Sequence, residues 1–429
     1  MCKSKKSTDV IEPKSPRSSR HQRTSKSFAT ASSSHPDPSS SVDFASYNVT
    51  TTDTKSSTKN SSKSSASSRA SLASFKESLP DNPLIYEFSE IRSATNGFIS
   101  KPFSSSSSAT SWRCLIRGKD VIVFQRKLLR PIELPELKHQ LSVICRSHHN
   151  NLVKLLGASI SGNYIYLVYE FIAGASLAEC LRNPRNPNFT VLSTWISRMQ
   201  IAADLAHGLD YIHHCSGLDM KFIHNHIKSS SIVITDETLT PKICHFGAAE
   251  LSGELAMVGE EEEGDELEIT TYRQPKRSNS KKMKLEGTRG YIAPEMMANG
   301  TMSQKIDVYA FGVVILELIS GNEVLKYTFE EGNHGGYVRV SVIETARKAV
   351  ESGVGGVRTW VDRRLKDSFP MEVAEKMVVV GLECVEEDPD KRPDIGRVAV
   401  KISKLFLESR RWAESIGKPV DMSASFAPR

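Results

Sequence analysis

The sequence lacks any apolar run long enough to cross a membrane. A membrane-spanning helix takes about 20 consecutive apolar residues, and every apolar run in the chain is shorter than that. The N-terminus also lacks the apolar core of a secretory signal, because lysine, serine and threonine fill its first positions. We therefore expect a chain that is neither secreted nor membrane-spanning.

Cysteine is also sparse, with 7 among 429 residues. The number is odd, the positions are scattered, and no two cysteines have the CxxC spacing of a zinc or redox site. This usage predicts free thiols in a reducing compartment, hence a cytoplasmic location, and neither a disulfide framework nor a cysteine metal site.

Residues 1–82 are poor in the apolar side chains that a core requires. They contain 25 serines, and such a composition predicts disorder because little apolar surface is available to offset the entropy of folding. The segment also carries the whole net charge of +6, since lysine plus arginine equals aspartate plus glutamate over residues 83–429. The basic character thus belongs to an appendage, and we expect no nucleic-acid partner.

One feature of this tail indicates a membrane-targeting signal. Cys2 is followed by a cluster of lysines at positions 3, 5 and 6. An acyl chain on the cysteine beside a polybasic cluster would supply the two signals that stable anchoring needs. Acylated Cys2 would place the protein at the inner face of the plasma membrane. The alternative is a solvated tail rich in phosphorylation sites.

From residue 86 onward, apolar residues become periodic. Short β-rich runs occur at residues 121–124 (VIVF), 151–157 (NLVKLLG) and 164–171 (YIYLVYEF). Residues 192–214 carry apolar residues on one helical face, and residues 307–318 (DVYAFGVVILEL) predict a helix buried on all sides. Strands before helices predict an α+β chain with a small β-rich lobe followed by a larger helical lobe.

Residues 251–286 interrupt this pattern. An acidic block, EEEEGDELE, is followed by a basic block, RQPKRSNSKKMK, with few core-forming residues. We expect a long mobile insertion here.

Four motifs then occur in a recognisable order: HNHIKSSS at 224–231, CHFG at 244–247, GTRGYIAPE at 287–295 and DPDKRP at 388–393. They resemble the catalytic loop, the DFG turn, the end of the activation segment and the late arginine motif of protein kinases. The chain is most similar to the kinase domains of plant LysM receptor-like kinases. The resemblance implies a bilobal kinase domain over residues 83–420, with an N-lobe at 83–172, a C-lobe at 173–420 and a flexible tail at 421–429.

The residues that perform phosphoryl transfer in the family are replaced here. Transfer requires bound phosphates, one or two Mg²⁺ ions and an aligned hydroxyl. The stretch matching the glycine-rich loop, residues 100–112, has no glycine. Five further positions are changed: Phe124 for the strand lysine, Gln140 for its glutamate partner, His226 for the catalytic aspartate, Ser231 for the metal-binding asparagine and His245 for the DFG aspartate. Lys228 is retained.

The positions that support the family's scaffold are kept. Glu295 and Arg392 match a buried ion pair, and Asp307 matches the residue that holds the catalytic loop. The remaining matches are His224 and Phe246 in the apolar spine, Tyr169 as gatekeeper, Glu170 and Ile172 in the hinge, and Ile122 against the adenine ring. Because Ile122 is bulkier than the usual alanine, it should narrow the nucleotide pocket.

These replacements predict a pseudokinase that acts as a signalling scaffold or allosteric partner of other kinases, chiefly receptor-like kinases, without phosphoryl transfer. We expect weak or absent binding of ATP and Mg²⁺ and no metal site. His226 and His245 would face each other, and the simpler expectation is that they hydrogen-bond rather than bind zinc. The alternative is an atypical, weakly active Ser/Thr kinase that binds phosphate through Lys127 or Lys119.

Overall fold

The computed structural model describes residues 83–105, 109–185, 192–218, 221–236, 238–255, 288–330 and 336–416. The predicted tails at 1–82, which includes Cys2, and at 421–429 lie outside these residues, as does 256–286 of the predicted insertion. Two lobes follow one another along the chain, and the predicted α+β, two-lobed architecture is confirmed.

The first lobe is built on a six-stranded sheet in the spatial order β1-β5-β6-β4-β3-β2. Only the pairing of β1 with β5 is parallel in this sheet. The strands are β1 (Leu84–Ile85), β2 (Ser104–Ser105), β3 (Ala109–Ile116), β4 (Lys119–Lys127), β5 (Leu155–Ser161) and β6 (Tyr164–Glu170). Two helices accompany the sheet, α1 (Phe88–Ala94) and α2 (Leu134–Ile144).

The alternation of side chains along strand β4 determines which of them face the space between the lobes. Val121 and Val123 are fully buried in a small core with Tyr86 and Ile91. Successive side chains of a strand point to opposite faces, so Phe124 and Arg126 lie together on the other face, toward the second lobe. The strand predicted at 121–124 is thus confirmed and extends to Lys127.

Another predicted strand, at residues 151–157, begins later than expected. Strand β5 starts at Leu155 because the preceding residues pair elsewhere. The Val153 amide donates to the Ile243 carbonyl at 2.9 Å, and Asn151 Nδ2 donates to the Pro241 carbonyl at 2.9 Å. Residues 151–153 therefore join the first lobe to the second instead of extending the sheet.

The second lobe is helical around one central helix. Helix α7 is buried on nearly every side, as residues 307–318 predicted, and it is longer than that segment. The helices are α3 (Leu177–Arg182), α4 (Trp195–Asp210), α5 (Ala248–Ser252), α6 (Pro294–Ala298), α7 (Gln304–Ser320), α8 (Val342–Glu351), α9 (Val354–Trp360), α10 (Met371–Cys384) and α11 (Ile395–Ile416).

The helix predicted at 192–214 is shorter in its α-helical part. Thr194 caps it by accepting a hydrogen bond from the Ser197 amide at 3.3 Å, so α4 begins at Trp195 rather than at residue 192. It continues beyond Asp210 as one π-helical turn, Tyr211–Cys215. None of the helices in the described part of the chain combines the length and the hydrophobicity needed to span a bilayer.

Two small sheets complete the second lobe. The first has the order β7-β8-β9 and consists of β7 (Gly174–Ser176), β8 (Ile232–Thr235) and β9 (Pro241–Ile243). The second is a hairpin of β10 (Leu325–Glu330) and β11 (Gly336–Ser341), which exposes aromatic side chains at Tyr327, Phe329 and Tyr337. Strand β6 ends at Glu170 and β7 begins at Gly174, so the connection between the lobes lies between these residues.

Candidate active-site cleft

The loop that precedes β8 is held in place from below by Asp307 of helix α7. Its carboxylate accepts hydrogen bonds from the backbone amides of His224, at 2.7 Å, and Asn225, at 2.8 Å. His213 Nε2 lies 3.0 Å from the same carboxylate. Burial alone would raise the pKa of Asp307, but its bonds to His213 and the His224 amide bring the net shift downward. This buried anion therefore fixes the backbone at His224 and Asn225, where the loop of residues 224–231 begins.

Two histidines face the cleft from this loop and from the turn after β9. The ring centroids of His226 and His245 are 6.1 Å apart. Burial and the nearby Arg126 cation lower the pKa of both rings, for His245 to well below 6.5, so both are neutral at pH 7. Neither position carries a carboxylate, and in the described part of the chain no group of three or more His, Cys, Asp or Glu residues is arranged to hold a metal ion.

Phe124 fills the position matched to the strand lysine. Its ring lies 4.4 Å from the His245 ring and 5.8 Å from the Tyr169 ring, centroid to centroid. Gln140 points elsewhere on helix α2, where its Nε2 donates to Glu136 Oε1 at 3.3 Å and its Oε1 is buried without a partner. An aromatic cluster therefore occupies the place of the lysine–glutamate ion pair that the resembling kinases have, as the replacements Phe124 and Gln140 predicted.

Arg126 is a buried cation in the cleft. Its guanidinium forms an ion pair with Glu254, and both side chains are 8% exposed. Arg126 Nη1 also lies 3.1 Å from His226 Nε2, which in turn lies 3.1 Å from Glu254 Oε2. Burial would raise the pKa of Glu254, yet His226, Arg126 and Ser252 lower it to about 2. We attribute the net lowering mainly to Arg126, whose charge is permanent.

Sequence reasoning missed both members of this pair. It considered Lys127 and Lys119 as substitute cations, but these lie at the two ends of β4 and are exposed. The signal for Arg126 was available, since the period of two along a strand puts it on the same face as Phe124. Glu254 lies within the mobile insertion predicted at 251–286, of which the structure describes residues 251–255.

The start of the predicted insertion is in fact packed against the first lobe. Residues 251 and 252 complete helix α5, and the Ser252 carbonyl accepts a hydrogen bond from the Leu129 amide at 2.9 Å. Tyr169 is 1% exposed, and its hydroxyl donates to the Phe246 carbonyl at 2.9 Å. Gly247 has φ of 81°, and a Cβ there would lie 2.7 Å from Ile144 of helix α2. The segment after β9 is therefore held against the first lobe from several sides.

The remaining residues singled out in the sequence lie in the cleft or beneath it. Lys228 Nζ donates to Thr288 Oγ1 at 2.9 Å, and Ser231 is buried beside it. His224 and Phe246 are buried in the core, as is Ile122. Glu170 Oε1 accepts from the Lys154 amide at 3.0 Å, and Ile172 packs at the edge of the core.

Glu295 and Arg392 lie outside the cleft and form a two-pronged ion pair. Both nitrogen–oxygen distances are 2.7 Å, and the arginine side chain is completely buried. Arg392 also donates to the carbonyl oxygens of Glu386 at 2.7 Å and Lys305 at 3.0 Å.

Comparisons with known proteins identify the family to which this two-lobed architecture belongs. The family model of the protein kinase domain matches residues 135–401. The chain belongs to the protein kinase family. The two-lobed arrangement is the kinase fold, with a β-sheet N-lobe and a helical C-lobe.

Among curated proteins, this kinase domain is similar to plant receptor-like kinases. LysM domain receptor-like kinase 3 of Arabidopsis thaliana is 30% identical over 343 residues, which cover 78% of this chain and 48% of the relative. Chitin elicitor receptor kinase 1 of Arabidopsis thaliana is 34% identical over 278 residues, covering 64% and 39%. The chain thus spans less than half the length of these relatives.

A solved structure has the same fold. The pseudokinase domain of BIR2, an immune regulator of the RLK/Pelle family, superimposes with a TM-score of 0.56 at 23% identity. The match covers 81% of this chain and 95% of that domain.

Proposed function

We propose that this kinase-fold protein is a pseudokinase that acts by binding other kinases and does not transfer phosphate. The observation that carries the proposal is the Arg126–Glu254–His226 cluster in the cleft. In an active kinase the corresponding region holds Mg²⁺ through carboxylate and amide oxygens. The carboxylate of Glu254 is engaged by Arg126 and His226. The remaining groups, a guanidinium and the imidazoles of His226 and His245, are poor ligands for a hard divalent cation.

The comparisons with known proteins support receptor-like kinases as the class of partner. The curated relatives are receptor-like kinases, and the solved pseudokinase domain is described as belonging to an immune regulator. We therefore propose receptor-like kinases as the partners, bound through the surface of an intact kinase scaffold. Capture of a receptor-like kinase by the tagged full-length chain from plant membranes is the expected result; capture of none would contradict this part of the proposal.

The first prediction concerns ATP in the presence of Mg²⁺. We expect that adding Mg²⁺ does not increase the stabilisation of the full-length protein by ATP, and that no phosphate is transferred to protein substrates. A ligand at 100 times its dissociation constant stabilises a protein by about 2.7 kcal/mol, which a thermal denaturation assay detects easily. An active receptor-like kinase domain serves as the control.

Two outcomes would contradict this prediction. A Mg²⁺-dependent shift in melting temperature at millimolar ATP would mean that the cleft holds the metal–nucleotide complex. Transfer of labelled phosphate, abolished by Lys228→Gln, would favour the alternative of an atypical, weakly active Ser/Thr kinase.

A further inference from the structure

The cleft contains a cavity with cationic and hydroxyl groups on its wall. Its volume is about 380 Å³, within the range of ligand pockets. Arg126 and Lys228 are the cations on the wall, and serine hydroxyls are contributed by both lobes, including Ser104 and Ser231. Asp307 also lines it, but its oxygens are already engaged by backbone amides and His213.

Two of the residues that line this cavity each have a nitrogen atom that is buried without a hydrogen-bond partner. These atoms are Nε of Arg126, a residue only 7% exposed, and Nδ1 of His245. Buried polar atoms are nearly always paired, so two unpaired nitrogen atoms in residues that line the same cavity need an explanation. Glu254 and His226 engage Nη1 of Arg126 and leave Nε free of a partner. A guanidinium with an unused N–H is suited to a tetrahedral oxyanion.

The electrostatics of the wall agree with this geometry. Burial lowers the pKa of Lys228, and repulsion from Arg126 lowers it further. Glu254 compensates part of the charge of Arg126. An anion between Arg126 and Lys228 would relieve the repulsion that remains, whereas Mg²⁺ would add to it.

We propose that this cavity binds a phosphate monoester without any metal ion, with Arg126 and Lys228 as the charged ligands. The inference rests on the proposed function, because it assumes a cleft that no longer binds ATP with Mg²⁺. Among the described residues that line the cavity, none is Ile122, Tyr169, Glu170 or Ile172. The first lobe contributes residues that include Ser104 and Phe124, and most of the wall is formed by second-lobe residues that include Thr288 and Met296.

This lining favours one source of the phosphate. Because the wall is continuous with the second lobe rather than with the connection between the lobes, the group carrying the phosphate approaches along the second lobe. A phosphoserine or phosphothreonine in an extended peptide meets this requirement better than an adenine nucleotide does. The cavity would then recognise a phosphorylated side chain of a protein.

The experiment titrates the full-length protein in EDTA at constant ionic strength. The probes are a tripeptide containing phosphoserine, the same peptide unphosphorylated, ADP and inorganic phosphate. We expect saturable binding of the phosphopeptide and of inorganic phosphate, weaker binding of ADP and none of the unphosphorylated peptide. Tighter binding of ADP would support the oxyanion site and assign it to nucleotides.

Variants of matched charge locate the site. Lys228→Gln is expected to weaken phosphopeptide binding about tenfold, the effect of losing one charge-assisted hydrogen bond. The double variant Arg126→Met with Glu254→Gln removes the other cation without leaving a buried carboxylate, and it should weaken binding similarly. Lys127→Met removes one positive charge from an exposed neighbouring position and should leave binding unchanged.

The proposal would be overturned by an absence of saturable binding in EDTA, or by equal losses in Lys127→Met and Lys228→Gln. The second result would show general attraction to a basic surface. Neither result bears on phosphoryl transfer, so this proposal and the proposed function fail separately.

Discussion

Arg126 places a permanent charge in a region where burial is costly. The guanidinium is stabilised there only because Glu254 lies against it and because His226 and Ser252 fix the carboxylate. Removing one member of such a pair leaves the other buried and unpaired, which costs more than the net contribution of the intact pair. The cluster is therefore one of the contacts that hold helix α5 under the N-lobe, together with the Leu129–Ser252 hydrogen bond.

A double-mutant cycle tests this account. Arg126→Met should lower the free energy of unfolding by about 3–5 kcal/mol, measured by urea denaturation. Combining it with Glu254→Gln should recover part of the loss, since no buried charge then remains. Lys127→Met, at an exposed position on the same strand, should change stability by less than about 0.5 kcal/mol. Additive effects of the two substitutions would contradict the coupling.

At the scale of elements, Arg392 joins parts of the C-lobe that are far apart in sequence. Its guanidinium bonds to Glu295 at the start of α6, to the Lys305 carbonyl in the first turn of α7 and to the Glu386 carbonyl after α10. These bonds fix the position of the segment that leads into the central helix.

Substitution Arg392→Ala should therefore destabilise the domain by about 3–5 kcal/mol, because Glu295 would be left with its charge unpaired. Lys391→Ala is the matched control, since Lys391 is exposed and its nearest carboxylate oxygen, on Asp388, is 3.8 Å away. Chemical denaturation of both variants measures the change in the free energy of unfolding. A loss below about 1 kcal/mol for Arg392→Ala would mean that the pair contributes as little as a surface salt bridge.

Sequence reasoning predicted those elements whose pattern is local. The buried helix α7 and strands β4 and β6 follow from their own apolar and β-rich composition. The predictions were less accurate where residues distant in sequence determine the structure. Residues 151–153 pair with β9 instead of extending β5. The short helix α5 depends on its contacts with the N-lobe. Arg126 could have been found from strand alternation, whereas its partner Glu254, 128 residues away, could not.

At the scale of the whole molecule, buried neutral histidines in and beneath the cleft make stability sensitive to acid. Burial lowers the pKa of His224 to about 4 and also lowers those of His226 and His245. In the unfolded chain their pKa values return to about 6.5. Between these values the unfolded state binds more protons, so the free energy of unfolding falls as the pH drops.

We expect stability to be constant above about pH 7 and to fall below pH 6.5, by up to about 1.4 kcal/mol per pH unit for each such histidine. Below about pH 4.5 Glu254, with its lowered pKa, adds a further loss. Denaturation series from pH 7.5 to 5 measure the slope. His245→Phe should reduce it, and His207→Gln, at an exposed histidine, should not. A flat profile would contradict the burial of these rings.

The contacts that hold the Phe246 turn against the N-lobe also bear on how this chain evolves. An enzyme must open its cleft to release product in every cycle, and selection opposes substitutions that tighten the joint between its lobes. Under the proposed function this chain completes no catalytic cycle, so it is free of that opposition. The Tyr169–Phe246 bond, the Leu129–Ser252 bond and the Arg126–Glu254 pair can then accumulate as gains in stability that an active relative would lose in turnover.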